Sequence, residues 1–96
     1  MPAYAVFIRE STQNQSELDA YTPKAEASMT GHKMTVLAAY GRQEVLEGPP
    51  VEGIVIVEFP SIEEAKTWYD SAAYRGAREH RFRGARYRAV IVEGLS

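Results

Sequence analysis

Residues 3–9 are apolar on both alternating sets, with Tyr4, Val6 and Ile8 on one side and Ala3, Ala5 and Phe7 on the other. A period of two predicts a strand, and two apolar sides predict that neither face of it is solvated. Residues 14–30 change period. Leu18, Tyr21, Ala25 and Met29 recur at spacings of three and four, which aligns one apolar stripe along a helix. Pro23 falls inside this segment, where it removes a backbone donor and crowds the preceding turn. The expectation is a kink, or a restart with Thr22 as cap and Pro23 in the first turn. Gly31 then ends the helix. Alternation returns over residues 33–40, where Met34, Val36, Ala38 and Tyr40 oppose Thr35, Leu37 and Ala39.

Gly41 turns the chain, residues 43–47 read as a short strand or extended edge, and Gly48-Pro49-Pro50 is a loop. Residues 53–59 form the clearest strand, because Ile54-Val55-Ile56-Val57 is β-branched throughout. Pro60 stops it. Ser61-Ile62-Glu63-Glu64 has the spacing of a capping box, and the helix it opens runs to about Tyr69. Ile62, Ala65 and Tyr69 face inward there, with Trp68 at the edge of the stripe. Ser71 caps a second short helix over residues 72–83. Residues 86–93 alternate again, Tyr87, Ala89 and Ile91 against Val90 and Val92.

The order strand, helix, strand, strand, helix, strand is a doubled βαβ unit. It predicts an α+β, ferredoxin-like domain with an antiparallel sheet and both helices on one face. The other face of such a sheet is normally polar. Here it is apolar on three strands, and a patch of that kind is best covered by the same face of a second copy. The expected partner is therefore a homodimer mate through the sheet face.

Composition adds limits. Ninety-six residues suit a single domain, 1–96, and 45% hydrophobic with 25% charged residues is an ordinary globular balance. The absence of cysteine excludes disulfides, thiolate metal sites and a cysteine nucleophile. Met1-Pro2-Ala3-Tyr4 opens directly in strand-like sequence with no basic-then-apolar leader, and the longest apolar run is too short for a bilayer. A cytoplasmic protein with no membrane association is the expectation. The net charge is −2, yet six of the eleven basic residues crowd into positions 75–88, opposed there only by Glu79.

The second half carries a specific pattern: Val45-Leu46-Glu47-Gly48, Glu58-Phe59-Pro60-Ser61, Trp68-Tyr69-Asp70-Ser71, then Tyr74, Arg81 and Val92-Glu93-Gly94. It closely resembles the bacterial family of domains of unknown function numbered thirteen-thirty. The resemblance covers most of the chain and is strongest over residues 44–94. Between residues 22 and 41 it is weaker, because this chain has Gly31-His32 where the family often has paired glycines. The resemblance implies a dimeric α/β barrel, in which two ferredoxin-like sheets pack face to face. Small monooxygenases, muconolactone isomerase-like enzymes and haem-dependent chlorite dismutase-like proteins share that superfamily. The family has no established activity, so the resemblance implies an architecture and leaves the reaction open.

Trp68, Tyr69, Tyr74, Arg78 and Arg81 are the first set of chemical interest. Tyr74, Arg78 and Arg81 share one helical face by spacing. Arginine beside aromatic rings can hold a carboxylate while the rings hold a flat body. Trp68, Tyr74, Arg78 and Arg81, with Tyr40 or His32 from the second strand, are the candidate ligand-binding residues for a small organic acid. The competing reading makes Trp68 and Tyr69 core, pairs the arginines with Glu63, Glu64 and Asp70, and leaves a non-catalytic structural or interaction module. A cavity of about 300 Å³ or more with Arg81 and an aromatic facing it would favour the ligand, and solid packing the module. His32 and His80 are weak catalytic candidates, since histidine titrates near neutrality but neither has a partner visible by spacing. No metal motif and no cofactor motif is present. Nucleic acid is not an expected partner: an RNA-binding sheet needs exposed stacking aromatics in a basic surround, and the Lys/Arg-Gly-Phe-Gly-Phe signature is missing.

Overall fold

The computed structural model describes residues 1–95. Its elements are β1 (Ala3–Thr12), α1 (Gln15–Ala27), β2 (Thr35–Ala39), β3 (Gly53–Phe59), α2 (Ile62–Tyr69), α3 (Ala72–Gly84) and β4 (Ala85–Glu93). The four strands form one antiparallel sheet in the order β2-β3-β1-β4. This is the ferredoxin-like βαββαβ arrangement, with the second crossover split into α2 and α3.

Local chemistry sets the helix boundaries. Asn14 caps α1 by accepting from the Ser16 and Glu17 amides. Ser61 accepts from the Glu64 amide at 3.1 Å, and Ser71 does the same for Tyr74 at 3.3 Å. These caps satisfy amides that the first turn leaves without intrahelical partners. Pro23 neither breaks nor restarts α1, which runs continuously through it. Thr22 is not a cap: its hydroxyl donates back to the Leu18 carbonyl at 3.2 Å. Regular α1 ends at Ala27, and Gly31 takes the left-handed conformation (φ 85°) in the turns beyond it.

The helices cover one face of the sheet. Ala5 and Phe7 of β1 and Val57 and Phe59 of β3 pack there against Ala65, Trp68, Tyr74 and Ala77. Trp68 sits in the middle of this core instead of at the edge of the α2 stripe. It contacts the rings of Phe7, Phe59, Tyr69 and Tyr74. On the opposite face, Val6 lies between Ile56 and Val90, Ile8 opposes Ile54, and Tyr4 opposes Val92. No element covers these side chains, and Val90 and Val92 are 56% and 52% exposed. The unsolvated second face anticipated from the alternation is thus an open apolar surface of the single chain.

Two segments depart from simple alternation. Residues 43–47 form no strand; the Gln43 side chain donates to the Val51 carbonyl and folds the loop onto itself. In β2, Val36 opposes Val57 and Ala38 opposes Ile56, so Leu37 is an extra, bulged residue. A bulge reverses the facing of the residues beyond it. Ala39, rather than Ala38, therefore joins Val36 on the helix side. Tyr40 has a left-handed backbone (φ 56°), and its ring lies across Gly53, where any Cβ would collide with Tyr40 Cδ1 and Cε1. Among the described residues, no helix is long and apolar enough to cross a membrane.

Candidate functional site

The stripe of α1 overhangs β2 and β3 without filling the space beneath it. A cavity of about 260 Å³ remains between Tyr21, Ala25 and Met29 of the helix and Val36, Ala39, Val55 and Val57 of the sheet. The rings of Phe7, Tyr40, Trp68 and Tyr87 line it too, as do Met34 and the solvent-exposed Thr22 and Glu26. Trp68 is fixed there by a relay through the end of α1. Its indole N–H donates to Ser28 Oγ at 3.1 Å, and that hydroxyl donates to the Ala25 carbonyl at 2.6 Å.

Phenol hydroxyls meet in two pairs. Tyr21 and Tyr74 are 2.8 Å apart, oxygen to oxygen, and Tyr40 and Tyr87 are 2.5 Å apart. Burial pushes Tyr21 and Tyr40 well above the usual phenol range, and their partner phenols add to the shift. Burial also raises Tyr74, against the opposing pull of the Arg81 charge. All three are therefore neutral hydrogen-bonding groups near neutral pH. The Tyr40 ring is held from outside by the Arg9 guanidinium, 4.8 Å from its centroid, and Glu52 pairs with Arg9 at 3.1 Å.

Arg81 lies behind this cavity. It is 3% exposed, with its guanidinium 5.3 Å from the Phe7 ring and 5.0 Å from the Phe82 and Tyr87 rings. Its Nη2 donates to the Tyr69 hydroxyl at 3.5 Å, while its Nε has no hydrogen-bond partner. Among the described residues, no carboxylate lies within 4.0 Å of it. A buried cation in this situation is costly unless something neutralises it.

The residues singled out by spacing do not all converge. Tyr40 and Trp68 line the cavity. Tyr74 is fully buried and does not line the cavity; its ring packs on Trp68 with centroids 4.0 Å apart and its hydroxyl meets Tyr21, both of them lining residues. Arg81 does not line the cavity but abuts two of its rings from behind, so the space, at about 260 Å³, is both smaller than the expected size of about 300 Å³ and not faced by Arg81. Arg78 is directed elsewhere: it donates to the Tyr69 carbonyl at 3.1 Å and pairs with Asp70 at 3.6 Å. Asp70 is thus one of the three acids expected to meet the arginines.

Neither histidine faces the cavity. His32 comes directly after the left-handed turn at Gly31 and borders a separate pocket of about 290 Å³ with Lys33, Phe59, Glu64 and Thr67. It precedes β2, whereas Tyr40 comes after it, so the strand separates them. His80 has a partner after all, Glu17 Oε2 at 2.8 Å, which Arg83 also reaches at 3.2 Å. These contacts link α1 to α3, and the hydrogen bond from His80 holds the Glu17 carboxyl below its ordinary range. Among the described residues no group of three or more His, Asp or Glu side chains is placed to hold a metal.

Tyr21 and Tyr87 escaped the sequence reading as site residues. The signal was available in part: Tyr21 is the one residue of the α1 stripe with a hydroxyl, and a buried tyrosine hydroxyl needs a partner.

No curated protein sequence is significantly similar to the chain. A protein of unknown function from Rhodopseudomonas palustris has a similar structure, with TM-score 0.78 and 18% identity over 99% of this chain and 83% of that one. A dimeric ferredoxin-like protein of unknown function from Jannaschia sp. CCS1 gives 0.71 at 9% identity, over 98% of this chain and 100% of the other. SnoaB, a cofactor-independent oxygenase from Streptomyces nogalater, gives 0.61 at 5% identity, over 99% and 94%. At these identities the likeness is one of fold. The sequence itself is more specific: matched over residues 2–95, the chain belongs to the family described as Domain of unknown function (DUF1330).

Proposed function

We propose that the protein is a homodimer joined through its open sheet face, each protomer binding a small planar organic acid in the aromatic cavity. The observation that carries the ligand reading is Arg81, a buried cation with no acid partner among the described residues, set against two rings of the cavity wall. An anion in the cavity would supply the missing charge, and the flanking rings suit a flat body. The pairing is supported by the open apolar face and by structural relatives described as dimeric.

A thermal-shift series tests the ligand. Small carboxylates such as benzoate and phenylacetate are added to the wild type and to Arg81→Met. Binding raises the melting temperature by mass action, so a rise is expected in the wild type and none in the variant. Equal behaviour of the two proteins, or no rise with any acid at millimolar concentration, would overturn the reading.

A further inference from the structure

We infer that the anion-contacting residue of the cavity is Tyr21, and that Tyr74 is a positioning residue that passes the influence of Arg81 to it. This rests on the proposal that the cavity takes an organic acid, and it names how the acid is recognised. Arg81 lies behind the wall, so its guanidinium is not placed for the bidentate grip that arginine gives an exposed carboxylate.

Proton counting sets the direction of the Tyr21–Tyr74 hydrogen bond. Tyr74 is fully buried, and the Tyr21 oxygen is its hydroxyl's hydrogen-bond partner among the described residues. A buried O–H left without an acceptor is costly. Tyr74 therefore donates and Tyr21 accepts. The Tyr21 proton is then left over, on a ring that lines the cavity. The Arg81 charge beside Tyr74 makes that hydroxyl a stronger donor, and a donor chain polarises along its length. Tyr40 and Tyr87 repeat the count: two protons, one used within the pair, and both rings lining the same cavity.

The cavity thus offers two O–H donors in a lining that is apolar apart from the solvent-exposed Thr22 and Glu26, with a cation one residue behind. That set matches an acid whose single charge is shared by two oxygens. A phosphate or sulfate would bring further oxygens that this lining leaves unpaired, at a desolvation cost. The ligand class is a planar monocarboxylate.

Titration calorimetry of benzoate and of its neutral isostere benzamide into the full chain tests this, using the wild type, Tyr21→Phe and Tyr74→Phe. A hydrogen bond to a charged group is worth about 1.5–3 kcal/mol, roughly 10- to 150-fold in affinity. Tyr21→Phe should weaken benzoate at least about tenfold, and Tyr74→Phe by less, about fivefold. Benzamide should change less than about twofold in both. If benzoate binds the wild type and both variants equally, the relay is wrong while the cavity proposal stands. If both probes weaken together, the tyrosines act only as structure and the relay is equally wrong. Failure of the wild type to bind benzoate removes the cavity proposal and the relay with it. Should the buried Tyr74→Phe fail to fold, Tyr21→Phe decides, since its ring borders open space.

Discussion

Arg81→Met separates a residue kept for stability from one kept for a ligand. The wild-type guanidinium is 3% exposed and makes one long hydrogen bond of 3.5 Å, with three aromatic rings 5.0–5.3 Å away. Its burial costs several kcal/mol. The rings return about 0.5–2 kcal/mol each, and the hydrogen bond to Tyr69 adds about 1 kcal/mol at most. These terms nearly cancel. Methionine fills most of the same length, keeps favourable sulfur–ring contacts of about 0.3–1.5 kcal/mol, and removes the desolvation cost. The variant should therefore be as stable as the wild type or lose no more than about 1 kcal/mol, a fall of about 4–8 °C in melting temperature for a domain this size. Breaking a real buried ion pair costs about 3–5 kcal/mol instead. The assay is thermal and urea unfolding followed by circular dichroism, at one fixed protomer concentration because association would contribute to stability. A loss of about 3 kcal/mol or more would show that Arg81 is already paired in the native protein, and the reasoning would fail. Preserved stability together with lost carboxylate binding is the expected signature of a residue retained for function at some cost to the fold.

Single contacts elsewhere set three further outcomes. Gly53→Ala places a methyl group against the Tyr40 ring; overpacking of this kind costs about 1–3 kcal/mol, so both the urea midpoint and benzoate affinity should drop, and an unchanged protein would mean the ring is not held there. Ile56→Asp puts a charge in the middle of the open sheet face, beside Val6; sedimentation should find monomer where the wild type is dimeric, and a persistent dimer would move the interface elsewhere. Glu17 is held below its ordinary value of 4.5, first by the His80 hydrogen bond and then by the Arg83 charge, against some desolvation. A carboxyl depressed in the folded state contributes stability above its unfolded pKa and loses it as pH falls through the folded one. The urea midpoint of the wild type should exceed that of Glu17→Gln near neutral pH, and the gap should close below about pH 4; a gap that persists in acid would refute the assignment.

Much of the fold was legible because it rests on neighbours in sequence. The two-sided apolar alternation of residues 3–9 and 54–57, the stripe from Leu18 to Met29, and the caps at Ser61 and Ser71 are all short-range patterns. They dictated the element order and with it the ferredoxin-like sheet. They also announced that one sheet face would lack a polar surface, which is how the structure leaves Val6, Ile56 and Val90. The site was legible only as residue types. Trp68, Tyr40, Tyr74 and Arg81 were identifiable as aromatic and cationic groups worth pursuing, but their mutual placement was not.

Tertiary packing decided that placement. The bulge at Leu37 appears only when β2 must register against β3, and it reverses which residues reach the helix side. The left-handed Tyr40 is settled by the bare backbone of Gly53 beneath its ring. Tyr21 and Tyr74 are 53 residues apart, and Glu17 and His80 are 63 apart. No periodicity within a single element encodes contacts at such separations. They exist because α1 and α3 share one face of the sheet, and the hydroxyls and charges carried there have to find partners among whatever that packing brings near.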